Sequence, residues 1–132
     1  MFKSIKGCHR NDWWDATVLP SGQTIKIEFQ FDESSDRYYY SIYLVTMDKR
    51  KSEHTTPLKT TGRDGLRGLL WAKQKIIEFE AFILDRPSAK PITMCCIWTD
   101  NRRRDVYARG LKSLGYNFTM LFGRKVLAKQ LA

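Results

Sequence analysis

Between Thr24 and Phe31 apolar and polar residues alternate without a break. Ile25, Ile27, Phe29 and Phe31 share one side, and Lys26, Glu28 and Gln30 share the other. Side chains along a strand point to alternate faces, so this pattern is that of a half-buried strand in an antiparallel sheet. The constraint extends to its neighbours. Asp15–Pro20 reads as a first strand, and Pro20-Ser21-Gly22-Gln23 supplies the residues of a tight turn. The polar stretch Asp32–Asp36 turns the chain again. Tyr38–Thr46 follows, aromatic and β-branched on both faces, as expected of a more central strand. Three strands in series with short loops make a meander.

The period then changes. Residues 48–64 show no periodicity and read as a long basic loop. A helix is expected from about Gly65 to Leu84, with Leu66, Leu69, Leu70, Ile76, Ile77, Ile83 and Leu84 on its apolar side. Lys73 and Glu80 fall on that side too, as snorkelling groups or as a polar seam. Arg86–Pro91 breaks the helix, and residues 92–99 read as a buried strand. Thr99-Asp100-Asn101 offers helix caps, a second helix runs from about Arg102 to Leu114, and Gly115 stops it. A last strand is expected over Asn117–Leu127, with Phe118, Met120 and Phe122 on one face. The order β-β-β-α-β-α-β gives an α/β (α+β) chain: a mixed sheet with helices packed against it.

At 132 residues the chain fits one domain, 1–132, in which residues 1–12 form an N-terminal extension. With 42% hydrophobic residues and 28% charged, disordered and collagen-like classes are excluded. No apolar run approaches a membrane span, and Met1–Lys6 lacks the core of a signal peptide, so a cytoplasmic protein is expected. Cys8, Cys95 and Cys96 are odd in number, and the last two are adjacent on a strand. They read as reduced, buried side chains rather than a disulfide framework. A metal site joining them with His9 matches no zinc spacing, and no metal is expected. Lys and Arg exceed Asp and Glu by 23 to 14, a net charge of +9, which favours an anionic partner.

Two segments resemble the GNAT-type N-acetyltransferase superfamily. The first is Thr61-Gly62-Arg63-Asp64-Gly65-Leu66-Arg67-Gly68-Leu69-Leu70, opening the long helix. The second is Asp100–Tyr107, closed by Ser113-Leu114-Gly115-Tyr116-Asn117-Phe118. The resemblance covers about residues 13–127 and omits the strand and two helices that usually open that fold. It implies a small protein that binds acetyl-CoA, another acyl-CoA or coenzyme A, with possible N-acyltransferase activity toward an unidentified amine. Arg63, Gly65, Leu66, Arg67 and Gly68 would then hold the coenzyme pyrophosphate through helix-end amides and charge, with Asn101 near the thioester arm. The departures are specific. Gly62 stands where the family has Gln or Arg, and Arg67 stands where a second Gly or Ala belongs. Leu111 occupies the position of the family's general-acid tyrosine, with Tyr107 one turn earlier on nearly the same face.

Each of these residues also has a plainer role. Gly65 and Gly68 would serve a simple helix start, Tyr107 the core, and Glu80, the candidate base, the edge of a packing face. His54 in the loop reads as solvated, and Trp13-Trp14 as one core ring and one half-exposed ring. The cations fall into two groups: Lys49, Arg50, Lys51, Lys59, Arg63 and Arg67, then Arg102, Arg103, Arg104, Arg109 and Lys112. The loop and the Arg102–Arg104 turn follow parallel strands, so both are expected at the carboxyl end of the sheet, where open α/β sheets place ligands. The same end would suit a non-catalytic binder of nucleic acid or of an acidic protein. A third reading is an RNase H-like, metal-dependent nuclease using Asp15, Glu80 and Asp100. On the resemblance, a missing front of the fold would leave the acceptor side open, and a homodimer is expected as its simplest cover.

Overall fold

The computed structural model describes residues 2–4, 12–20, 22–47, 53–54, 63–97 and 101–131. At 4, 46–47, 53–54, 63–66, 101–104 and 106–107 it describes the backbone alone. The elements are β1 (Lys3–Ser4), β2 (Trp13–Val18), β3 (Thr24–Glu33), β4 (Tyr38–Met47), β5 (Glu53–His54), α1 (Arg63–Leu84), β6 (Ile92–Cys96), α2 (Asn101–Lys112), β7 (Asn117–Leu121) and β8 (Arg124–Gln130). The fold is α+β: a mixed sheet in the order β1-β2-β3-β4-β6-β8-β7, with β5 paired to β4, and two helices. Six of the eight strands have five residues or more.

The meander forms as its alternation dictates. β3 and β4 pair from Thr24↔Met47 to Glu33↔Tyr38, and β2 pairs antiparallel with β3. Ile25, Ile27 and Phe29 are fully buried on the face that meets α1. Phe29 stacks on Phe79 of α1 with ring centroids 3.8 Å apart and planes 3° from parallel. Burying a side chain of this size contributes about 1.5–3 kcal/mol. β6 lies parallel to β4, from Tyr38↔Ile92 to Ile42↔Cys96, and its five residues are all buried. Leu111 of α2 belongs to the same core cluster as Ile76, Phe79 and Ile83 of α1. Both crossovers therefore return over one face, as two right-handed connections running the same way along a sheet must. The other face carries Trp14, Tyr39, Ser41, Tyr43 and Cys95, and among the described residues no helix lies on it.

Several elements differ from expectation. Lys3 and Ser4 of the N-terminal extension pair with Trp14 and Trp13, which adds a short edge strand. The first strand is Trp13–Val18, two residues early, because its register is set by β3 rather than by Pro20. Within the expected loop, Glu53 and His54 pair with Met47 and Thr46. The expected last strand is two strands around the turn Phe122-Gly123, whose φ values of 54° and 72° define a two-residue hairpin turn. Finally, the buried stripe of α1 is Ala72, Ile76, Phe79 and Ile83. Leu70, Ile77 and Leu84, expected inside, are 57%, 41% and 50% exposed.

Polar contacts fix how α1 lies on the sheet. Lys75 meets Asp15 of β2 at 2.7 Å, with side chains only 16% and 13% exposed. Burial pushes the Asp15 carboxyl up, but the Lys75 hydrogen bond, the Ala16 amide and the lysine charge hold it below its ordinary value. The Asp15 hydrogen bond raises Lys75 in turn. Lys73 and Glu80 form the polar seam: Lys73 Nζ donates to Ser113 Oγ at 2.9 Å, and Glu80 turns toward Tyr116 and Lys129. The paired tryptophans take opposite faces, but both are half-buried and neither ring is fully in the core. Trp13 packs edge-on against Phe82 at 5.0 Å, while Trp14 lies on the other face beneath Lys3 and Lys26.

Candidate functional site

The parallel pair β4–β6 sets the geometry of the candidate site. Pairing stops at Ile42 and Cys96, yet β4 runs on to Met47. β3 occupies one edge of β4 throughout, so β5 must take the other edge at Thr46 and Met47. Between the end of β6 and β5, no described strand pairs with that edge at Tyr43–Val45. α1 begins after β5 and α2 after β6, so the first residues of both helices, Arg63 and Asn101, return from this end of the sheet. Carboxyl ends of parallel strands at a change in strand order are where open sheets hold ligands. Each helix start adds unbonded amides and the positive end of a dipole.

α1 starts at Arg63, two residues ahead of the expected Gly65. The helix therefore does not itself bond the amides of Arg63, Asp64 and Gly65, whereas those of Arg67 and Gly68 fall within its own i to i−4 ladder. Gly68 is buried and Arg67 exposed. Asn101 and Arg102–Arg104 form the first turn of α2, and Tyr107 lies further along that helix. The side chains of Arg63, Gly65, Leu66, Asn101, Arg102, Arg103, Arg104 and Tyr107 lie outside the described residues, as do Lys49, Arg50, Lys51, Lys59, Asp100, Cys8 and His9. Arg109 and Lys112 are exposed in the last turn of α2, away from its start.

Glu80 is not brought to this end. It lies 17 residues beyond Arg63 on α1, roughly 25 Å along the axis at 1.5 Å per residue. Its carboxylate bridges two groups: Tyr116 donates its hydroxyl to Oε2 at 2.8 Å, and Lys129 Nζ meets Oε1 at 2.6 Å. Tyr116 is fully buried, and burial with the adjacent Glu80 charge pushes its hydroxyl far above its ordinary value. The sequence reading missed Tyr116, which follows the helix-stopping Gly115 and resembles any core aromatic. Asp15 is held by Lys75, so Asp15 and Glu80 engage separate cations. β2 and β6 are separated by β3 and β4, so their backbones lie three strand spacings apart, about 14 Å.

The thiols diverge as adjacent strand residues do. Cys96 packs in the helix-side core, and Cys95 lies 3.3 Å from Ser41 Oγ on the other face. Burial raises Cys95 and pushes Cys96 up to about 12, so both stay protonated. Among the described residues no group of His, Cys, Asp and Glu is arranged to hold a metal ion. No described helix is long and apolar enough to cross a membrane. No family model, curated protein or solved structure matches the chain.

Proposed function

We propose that the protein binds coenzyme A or an acyl thioester of it at the carboxyl end of the β4–β6 pair. This is the function that the resemblance to the GNAT-type N-acetyltransferase superfamily implies. The observation that carries the reading is the end of this parallel pair: β6 stops, β4 continues, and α1 and α2 both start there. The amides of Arg63–Gly65 and the positive end of α1 suit a pyrophosphate. The arm of the coenzyme is an extended chain with two amides, which suits the strand edge at Tyr43–Val45. In N-acyl transfer an amine would attack the thioester carbon, the C–S bond would break as the C–N bond forms, Tyr107 would protonate the departing thiolate, and the proton shed by the amine nitrogen would pass to solvent, from which Tyr107 regains its own.

A binder without transfer chemistry is the second reading, and one observation favours it. Glu80, the candidate base, is held by Tyr116 and Lys129 about 25 Å from the start of α1. Thermal unfolding with added coenzyme A tests the proposal. Ligand at 100 times its dissociation constant adds about 2.7 kcal/mol of stability. A stability increase, with or without turnover of acetyl-CoA, supports the site, and turnover separates the two readings. No shift at millimolar coenzyme A overturns both. Retention on nucleic acid that weakens steeply with salt would then assign this end to a phosphate backbone.

A further inference from the structure

We propose that the outer edge of β7 takes an extended acidic peptide as an added strand. β7 is the last strand of the sheet and pairs only with β8 among the described residues. In a two-residue hairpin the pair closing the turn exchanges both hydrogen bonds, so Leu121, Thr119 and Asn117 bond β8. The N–H and C=O of Met120 then turn outward, and its side chain is 65% exposed. β7 itself, Asn117-Phe118-Thr119-Met120-Leu121, carries no proline or charge to block an incoming strand. A strand edge offers ladder groups spaced for a peptide backbone.

Charge selects the partner. From Val106 to the last residue the chain carries five Lys or Arg and no Asp or Glu. Lys129 is matched by Glu80 of α1. Lys112 and Lys125 hold their ammonium groups 5.2 and 4.7 Å from the Phe118 ring, on the helix-side face of β7. Among the described residues neither has a carboxylate partner. Exposed Arg124 pairs with Leu121 across the hairpin and so lies on the opposite face. A second copy of β7 would bring the same cations together across the seam. A strand bearing Glu or Asp on its helix-side face would instead meet Lys112 and Lys125. This inference does not depend on coenzyme binding at the other site.

The test uses the full chain and a fluorescein-labelled octapeptide alternating Glu and Val, with capped ends. Binding is expected, and the Lys-Val counterpart should not bind. N-methylation of all Glu or of all Val removes the N–H groups of one edge at a time, so one form should lose binding and the other keep it. Met120→Pro should weaken binding at least tenfold without loss of the circular dichroism of the fold, since it leaves the β7–β8 ladder intact. The double variant Lys112→Glu, Lys125→Glu gives an independent readout and should also weaken it at least tenfold. Equal binding of both N-methylated forms overturns the proposal. So does binding of oligothymidylate in place of the peptide, or self-association that Met120→Pro abolishes while the peptide fails to bind.

Discussion

Three residues with positive φ shape the second half of the sheet, Gly115 at the end of α2 and Phe122 with Gly123 in the hairpin turn, and they differ in cost. Gly115, at φ 97°, ends α2: its N–H donates to the Lys112 carbonyl at 3.0 Å, and the Tyr116 N–H donates to the Leu111 carbonyl at 3.1 Å. This is a Schellman cap, and Tyr116 and Leu111 supply its buried apolar contact. A Cβ at Gly115 would meet only the flexible Lys129 side chain, at 3.5 Å and beyond. Strain rather than crowding therefore sets the cost of Gly115→Ala, expected at about 1–2 kcal/mol in urea unfolding. An unchanged midpoint would refute the cap. Gly115 was legible because glycine is the residue such a stop requires. The hairpin turn was not, because Phe122 sits at φ 54° where Asn, Asp or Gly would announce a turn. Its ring lies 5.1 Å from Tyr39, edge to face, a contact that helps offset the strained backbone.

At the scale of elements, α1 separates what periodicity tells from what it hides. The helix and its extent were legible, but it carries two apolar stripes. Ala72, Ile76, Phe79 and Ile83 face the sheet, while Leu70, Ile77 and Leu84 recur every seventh residue on the exposed side. Spacing alone cannot rank two stripes about 130° apart, because the choice is made by which one fits Phe29 and Met94 on the sheet. Phe79→Ala should therefore cost about 3–5 kcal/mol. Ile77→Lys should stay within about 0.5 kcal/mol of the parent, as a surface change does. Comparable losses in urea for both would mean the helix is rotated from this placement. The end of the sheet proposed for the site was legible for a different reason. Element order places both helix starts there, whatever the side chains do. That Glu80 belongs elsewhere was not legible, since only tertiary packing brings Tyr116 and Lys129 to it.

For the whole molecule, the sheet buries several acids that ionise only at high pH, and this makes the fold sensitive to alkali. Burial pushes Tyr40 and Cys96 each up to about 12, from ordinary values of 10.0 and 9.0. It also raises Cys95, Tyr43 and Tyr116. All five must give up a proton to become charged, so the folded state keeps protons that the unfolded chain releases. Their contribution is complete below the unfolded values and is lost as pH rises through the folded ones. Each group then costs about 1.4 kcal/mol per pH unit once its unfolded form is ionised. Tyr40 and Cys96 together give about 2.7 kcal/mol per unit between pH 10 and 12. A fold at the lower end of the usual 5–15 kcal/mol of stability should therefore unfold within this range. The tyrosinate absorbance of the buried tyrosines should appear only with loss of the helix signal in circular dichroism. If all six tyrosines ionise near pH 10 while that signal stays intact, Tyr40 and Tyr116 are not buried as placed here.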